Sequence, residues 1–145
     1  MDRLTSPKKI KDIMTRYGFR FSKSLGQNFI IDEHVLDRII EGAEITCDDD
    51  ILEIGPGIGV MTDALCKVAK KVVSVEIDSA LIPILKETVG HHSNLTVIHS
   101  DVLKLDLPAL FHEHFEGRRP KLVANLPYYV TTPIIMTFLE ERIPV

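Results

Sequence analysis

The sequence has few cysteines and no long apolar segment. Its two cysteines, Cys47 and Cys66, do not have the spacing of a metal-binding CxxC motif, so reduced structural thiols are favoured over a disulfide or a zinc site. No window approaches the roughly 20 apolar residues of a membrane-spanning helix, and the first residues, MDRLTSPKKIKD, lack the apolar centre of a secretory signal. We therefore expect a soluble cytoplasmic protein whose 145 residues form one globular domain.

Negative charge predominates overall, but positive charge is concentrated at the N-terminus. The formal net charge is −4, whereas residues 1–27 contain seven Lys and Arg against two Asp, a local charge of +5 that leaves −9 for the remainder. A basic arm of this kind is an electrostatic footprint for phosphates. A solvated charged terminus explains the same pattern equally well.

The first third of the chain predicts two helices. Ser6 as cap, Pro7 at the first helical position and Gly18 as the stop indicate a short first helix. Asp32 can cap a second helix. Apolar residues recur on one face of that helix at helical spacing, which predicts that it lies on a core: they are Val35, Leu36, Ile39, Ile40 and Ala43.

From residue 50 onward, short apolar runs alternate with helical segments. The runs DILEIG, KVVSVE, NLTVIHS and KLVANL read as nearly continuous Ile, Val and Leu. This pattern predicts an α/β fold with a doubly wound parallel sheet covered on both faces. Four strands can be counted, so we expect an incomplete sheet whose last strand is an exposed edge that could promote dimerisation.

A glycine-rich turn separates the first strand from its helix. In EIGPGIG, residues 53–59, Gly55, Gly57 and Gly59 permit positive φ and allow a ligand to approach the backbone without meeting a Cβ. A ligand is favoured over a simple tight turn, because three glycines and a proline in seven residues are more than a turn requires. The spacing is GxGxG and not the GxGxxG of dinucleotide binders, so it does not name the cofactor.

Acidic residues follow the next two strands. Glu76 ends the second strand, where a carboxylate would accept hydrogen bonds from both ribose hydroxyls, and Ile77 could pack on an adenine ring. Asp101 follows the third strand and could accept from the exocyclic amine of that adenine. Since ligands bind at the carboxyl ends of strands in open α/β sheets, the three strand ends together predict an adenosine-containing cofactor.

The fourth strand ends in KLVANLPYYVTTP, which places two tyrosines together in a chain with three Tyr and no Trp. If the Asn125 side chain and the Leu126 carbonyl each accept one hydrogen of an adenine N6 amine, the nitrogen lone pair becomes available for attack. Pro127 favours an extended Leu126 and helps to aim that carbonyl. Tyr128 can stack on the extruded base. We therefore interpret Asn125, Leu126, Pro127 and Tyr128 as a catalytic clamp for a target base.

These motifs, with SLGQNFIID upstream, resemble the bacterial small-subunit ribosomal RNA adenine dimethyltransferases, the KsgA family, from about residue 8 onward. The resemblance implies a Rossmann-like methyltransferase that uses S-adenosyl-L-methionine to dimethylate N6 of two adjacent adenines, with ribosomal RNA and the small ribosomal subunit as partners. It also implies roles for individual residues. Gln27 would lie beside the methionine end of the cofactor, and the residues that would contact the cofactor are Asn28, Ile30, Gly55, Gly57, Glu76, Ile77, Asp101, Val102 and Asn125.

Family members continue for roughly as many residues again, with further strands, a later aromatic that sandwiches the target base, and a helical C-terminal domain. By this resemblance residues 1–49 form the basic arm and the helices flanking the cofactor site. Residues 50–145 form the first part of the methyltransferase domain, and the helical domain is absent. Such a chain could bind cofactor without full activity.

Four other functions remain as alternatives. The related erythromycin-resistance methyltransferases of large-subunit RNA share NLPY-like and QNF-like signals, although GQNF with Gly26 favours the ribosome-maturation branch. A nicotinamide-dependent oxidoreductase would explain the glycines and Glu76 but not NLPY. A non-catalytic RNA-binding or ribosome-assembly module would explain the basic arm. A DNA adenine methyltransferase usually carries Pro at the position of Leu126.

Two pairs of histidines invite comparison with metal ligands. His91 and His92 are adjacent, and His112 and His114 are two residues apart. Neither spacing converges on one helix face, and the sequence shows no cluster of Cys or carboxylates to complete a site. We therefore expect solvated histidines and no metal.

Overall fold

A computed structural model describes residues 7–18 and 33–124 of the chain, in which helices and parallel strands alternate as expected. None of the helices in these ranges combines the length and apolar character needed to span a bilayer. In chain order the elements are α1 (Pro7–Tyr17), α2 (Glu33–Gly42), β1 (Asp50–Ile54), α3 (Val60–Val68), β2 (Lys71–Glu76), a 3-10 turn (Ser79–Leu81), α4 (Ile82–Val89), β3 (Leu95–His99), a second 3-10 turn (Val102–Lys104), α5 (Leu107–Phe115) and β4 (Lys121–Ala124).

The four strands form one parallel sheet in the order β3-β2-β1-β4. The chain moves from β1 to β2 to β3 in one direction and then places β4 on the other side of β1. In the register, Ile54 of β1 lies beside Val75 of β2 and Ala124 of β4. The strand order therefore reverses at β1, with its carboxyl end between two neighbours.

Both faces of the sheet are buried, as the apolar runs predicted. Ile51 and Val72 belong to the core that also contains residues of α1, α2, α3 and α4. Leu52 and Val73, the next residues along the same strands, belong to a second core that contains residues of α5. Because successive strand residues point to opposite faces, these continuous apolar strands require helices on both sides.

The predictions for the first two helices are confirmed where the structure describes them. α1 begins at Pro7, and Gly18 follows its last residue with a φ of +61°. On α2, Leu36 is buried, and Ile39 and Ile40 pack against the same core, as does Ala43, which directly follows the helix. Ser6 and Asp32, the expected caps, lie outside the described residues.

Gly59 sets how closely α3 approaches α4. A Cβ at this position would lie 3.0 Å from Thr88 Oγ1 and 3.0 Å from Val89 Cγ1, and the residue has a φ of +98°. The Thr88 hydroxyl also donates a hydrogen bond to the Ile58 carbonyl at 2.8 Å. This third glycine of EIGPGIG therefore serves helix packing, a role that the sequence analysis did not assign to it.

Replacing Gly59 with alanine should lower the free energy of unfolding by about 2–4 kcal/mol, because the new methyl group adds overpacking to backbone strain. Gly117→Ala is the matched control, since Gly117 also has a positive φ, +80°, but nothing lies within 4 Å of its Cβ position. We expect the control to lose only the strain component, about 1–2 kcal/mol. The measurement is urea unfolding. Equal losses of unfolding free energy in Gly59→Ala and Gly117→Ala would contradict a role for Gly59 in helix packing.

Candidate functional site

The carboxyl ends of the strands bring the predicted motifs to one edge of the sheet. Ile54, the last residue of β1, is followed by the glycine turn and pairs with Ala124, the last residue of β4. Glu76 ends β2 and pairs with His99, which ends β3. The carboxyl ends of all four strands therefore lie at the same edge of the sheet.

The glycine turn adopts the backbone conformation that the sequence predicted. Gly55 has a φ of +74° and Gly57 a φ of +63°, values that side-chain-bearing residues rarely adopt. The Gly55 N–H donates to the Val75 carbonyl at 3.0 Å, and the Gly59 N–H donates to the Pro56 carbonyl at 3.0 Å. The turn is thus tied both to the neighbouring strand and to itself.

Glu76 connects this turn to the end of β2. Its Oε1 accepts a hydrogen bond from the Gly57 N–H at 3.1 Å, and its Oε2 accepts one from the Asp78 N–H at 3.0 Å. Burial, which leaves the residue 4% exposed, raises its pKa, while the hydrogen bonds from the Asp78, Gly57 and Ile77 backbones oppose that shift. A carboxylate has about four acceptor positions, so capacity remains for a ligand hydroxyl. The ribose contact stays a prediction.

Exposed apolar side chains flank the ends of β2 and β3. Ile77 is 51% exposed and Leu103 is 45% exposed. Both residues follow a strand at the edge that carries Glu76. Ile77 is exposed enough for a ring to pack on it, and that contact stays a prediction. Leu103 was not identified from the sequence, because nothing in HSDVLK distinguishes it from a core residue.

Asp101 and Val102 have structural roles of their own. The Asp101 carboxylate caps the 3-10 turn by accepting from the Leu103 N–H at 3.0 Å. The Val102 side chain is buried and belongs to the α5 side of the core. Asp101 is half-buried, and its contact with an adenine, like that of Val102, stays a prediction.

Several predicted site residues lie outside the described residues. These are Gln27, Asn28 and Ile30 upstream of α2, and Asn125, Leu126, Pro127 and Tyr128 after β4.

Glu53 is a buried carboxylate for which the sequence predicted no role. Only 2% of it is exposed, and its Oε1 accepts from Thr62 Oγ1 at 2.5 Å and from Ser74 Oγ at 2.7 Å. Burial raises its pKa to about 7; the two hydroxyls oppose this shift and the charge of Glu76 adds to it. The signal was present in DILEI, where a carboxylate interrupts a run of Ile and Leu.

The expectation that no carboxylate accompanies the histidines is wrong for one pair. Asp63 of α3 lies with His91 and His92, and one ligand atom of each is within 4.8 Å of the others. The sequence could not show this because 28 residues separate Asp63 from His91, and only helix packing brings them together. Among the described residues, His112 and His114 belong to no such group.

Comparisons with known proteins agree with this geometry. A family model described as "Ribosomal RNA adenine dimethylase" matches residues 18–145. The "Ribosomal RNA small subunit methyltransferase A" of Alkaliphilus oremlandii (strain OhILAs) is 59% identical over 145 residues, covering 100% of this chain and 50% of that protein. The chain thus spans about half the length of the curated relatives it matches.

Solved structures confirm the Rossmann-like methyltransferase fold. The crystal structure of the 23S rRNA methyltransferase ErmE has a TM-score of 0.66 and 34% identity, covering 78% of this chain and 43% of that one. An RNA methyltransferase from Salinibacter ruber, in complex with S-adenosyl-L-homocysteine, has a TM-score of 0.61 and 18% identity, covering 76% and 69% respectively. The second likeness concerns the fold alone.

Replacing Glu53 with glutamine should flatten the pH dependence of stability. A carboxyl whose pKa rises from 4.5 to about 7 on folding holds an extra proton in the folded state between these values. The free energy of unfolding therefore falls as the pH rises from about 4.5 to about 7, by roughly 3 kcal/mol. The glutamine amide can still accept from Thr62 and Ser74 but does not titrate.

The measurement is urea unfolding of both proteins between pH 4.5 and pH 8. Relative to the parent, Glu53→Gln should gain stability as the pH rises, up to the roughly 3 kcal/mol that the pKa shift implies. If the free energies of unfolding of the two proteins change in parallel over this pH range, Glu53 does not have the raised pKa that its burial implies.

Proposed function

Because this chain belongs to the ribosomal RNA adenine dimethylase family, we propose that it forms the cofactor-binding part of an S-adenosyl-L-methionine-dependent methyltransferase. In this proposal it acts on N6 of two adjacent adenines in small-subunit ribosomal RNA, a step of ribosome maturation. The relative at 59% identity that carries the small-subunit name supports this substrate. The large-subunit enzyme among the structural neighbours is only 34% identical.

The observation that carries the proposal is the position of the glycine turn. It follows β1, the strand at which the sheet order reverses, and ligands of open α/β sheets bind in the crevice at such a switch point. The turn is fixed by the Glu76 carboxylate, which keeps the capacity to accept from a ribose hydroxyl. A nucleoside cofactor is the ligand that this pairing fits.

Within the described residues we assign binding and orientation. Gly55 and Gly57 would let the cofactor approach the backbone, and Glu76 would accept from its ribose. Ile77 would pack on the adenine face, while Asp101 would accept from the adenine amine and Val102 would lie beside the ring. When bound, the cofactor supplies an electrophilic methyl group on sulfonium.

The remaining roles fall on residues outside the described ranges. We propose that Asn28 and Ile30 hold the methionine end and that Asn125, Leu126, Pro127 and Tyr128 hold the target base. Ala124 ends β4 beside Ile54, so the chain enters the NLPY segment next to the start of the glycine turn. Catalysis would come from positioning, because the amine can lose its proton after attack.

The proposed partner is ribosomal RNA in the small subunit, with unpaired adenines as targets, since bases in an A-form helix are inaccessible to side chains. The basic charge of residues 1–27 suits contact with its phosphates. We further propose that residues 1–49 flank the cofactor site of the domain formed from residue 50 onward. If the substrate is bacterial ribosomal RNA, the protein acts in the cytoplasm.

Two capping aspartates provide a matched test of cofactor binding. Asp101 and Asp106 each cap a helical turn through one backbone N–H, at 3.0 Å and 3.1 Å, so their alanine variants lose similar caps. Only Asp101 lies close to the carboxyl end of β3, where it is separated from His99 by Ser100. We expect Asp101→Ala to weaken S-adenosyl-L-homocysteine binding about tenfold, as a lost hydrogen bond to an amine implies, and Asp106→Ala to leave it unchanged.

The measurement is calorimetric titration of the 145-residue chain, with NAD as the competing cofactor class. Stronger binding of NAD than of S-adenosyl-L-homocysteine would contradict the proposed cofactor class. Equal effects of the two substitutions would contradict the proposed role of Asp101.

Methyl transfer tests the target clamp. The chain and its Asn125→Ala variant are incubated with labelled S-adenosyl-L-methionine and small subunits that lack the adenine modification. We expect the variant to lose at least about 100-fold in rate relative to the parent, since it removes an acceptor for the reacting amine, with cofactor binding checked separately by calorimetry. A variant as active as the parent would exclude this role for Asn125. A parent that binds cofactor but transfers no methyl group would limit the proposal to cofactor binding by this part of the enzyme.

A further inference from the structure

A cluster of nitrogen and oxygen ligands lies on the α3–α4 side of the sheet. Asp63 is in α3, and His91 and His92 are in the segment that joins α4 to β3. His92 Nε2 is 2.8 Å from Asp63 Oδ1, and the two imidazole ring centroids are 4.1 Å apart. Three potential ligand atoms therefore converge, all within 4.8 Å of one another.

We propose that Asp63, His91 and His92 form a binding site for a divalent transition-metal ion of the zinc class. Imidazole and carboxylate are the ligand types that Zn²⁺ takes in proteins, and three protein ligands leave a fourth position for water. His91 is exposed, which gives solvent access to that position. The metal would take the place of the hydrogen bond between His92 and Asp63.

The two carboxylate oxygens of Asp63 have different partners, so one can bind a metal while the other keeps its contact. Lys67, one turn further along α3, contacts Asp63 Oδ2 at 3.0 Å, whereas His92 contacts Oδ1. Oδ1 can therefore bind a metal while Oδ2 keeps its partner, as ligating carboxylates commonly do. Burial alone would raise the pKa of Asp63, but the contacts with His92 and Lys67 hold it below its ordinary value, so the group is anionic.

The backbone around the cluster is held by hydrogen bonds that do not use the proposed ligand atoms. Asn94 Nδ2 donates to the carbonyls of Cys66 and Ala69 at 2.9 Å and 3.2 Å, which fixes the segment before β3 against the end of α3. The His92 N–H donates to the Val89 carbonyl at 3.1 Å. A metal would thus meet a largely formed site and would join α3 to the α4–β3 segment.

The histidines of the cluster lie away from Glu76. His91 and His92 precede β3, at the edge where strands begin, whereas Glu76 lies at the edge where strands end. Asp63 lies in the first turn of α3, and its N–H donates to the carbonyl of Gly59 at 2.8 Å. Metal binding should therefore stabilise the packing of α3 against the α4–β3 segment. This inference does not depend on the proposed function.

The test is titration of the 145-residue chain with Zn²⁺, monitored by competition with a chromophoric chelator and by thermal unfolding. Because Cys47 is an exposed thiol that could bind zinc, all proteins carry Cys47→Ser. The test variant is His91→Ala, which removes an exposed side chain and should leave the metal-free unfolding temperature unchanged. The control is the double variant His112→Ala/His114→Ala, which removes two histidines but leaves the cluster intact.

We expect one Zn²⁺ per chain, a rise in the unfolding temperature, and a loss of affinity of at least about tenfold in His91→Ala. The control should bind as the parent does. Co²⁺ substituted for Zn²⁺ should give the absorption of nitrogen and oxygen ligands without a thiolate charge-transfer band. Zinc affinity that is absent in the parent, or equal in the parent and His91→Ala, would overturn the proposal.

Discussion

The shape of the candidate site depends on one carboxylate. Glu76 accepts the Gly57 N–H with one oxygen and the Asp78 N–H with the other, and so it joins the turn after β1 to the turn after β2. Backbone donors aimed at a buried charge are costly to leave unpaired. This arrangement fixes the distance between the two turns, and with it the width of the crevice that a nucleoside would enter.

The glycine turn is also held from its helix side. Gly59 lets α3 approach α4, and Thr88 of α4 donates to the carbonyl of Ile58 inside the turn. Beneath the turn, Glu53 joins β1 to β2 and α3 through the hydroxyls of Ser74 and Thr62. A turn that is fixed before the ligand arrives loses little conformational freedom on binding, which favours affinity.

Much of the fold followed from the sequence because its signals are local. Continuous apolar runs predicted buried parallel strands, and Gly55 and Gly57 predicted positive φ, since each depends only on neighbouring residues. Pairings across the sheet and between helices could not be predicted in this way. The contact of Glu53 with Ser74 depends on strand register, and that of Asp63 with His92 depends on how α3 packs beside the α4–β3 segment.

The central claim is that a nucleoside cofactor binds where β1, β2 and β3 end. Two-dimensional NMR of the ¹⁵N-labelled chain, titrated with S-adenosyl-L-homocysteine, tests it residue by residue. The largest amide shift changes should occur at Gly57, Asp78 and Leu103, with little change at His92. Changes that centre on His92 and the opposite edge of the sheet, or no changes at saturating ligand, would contradict it.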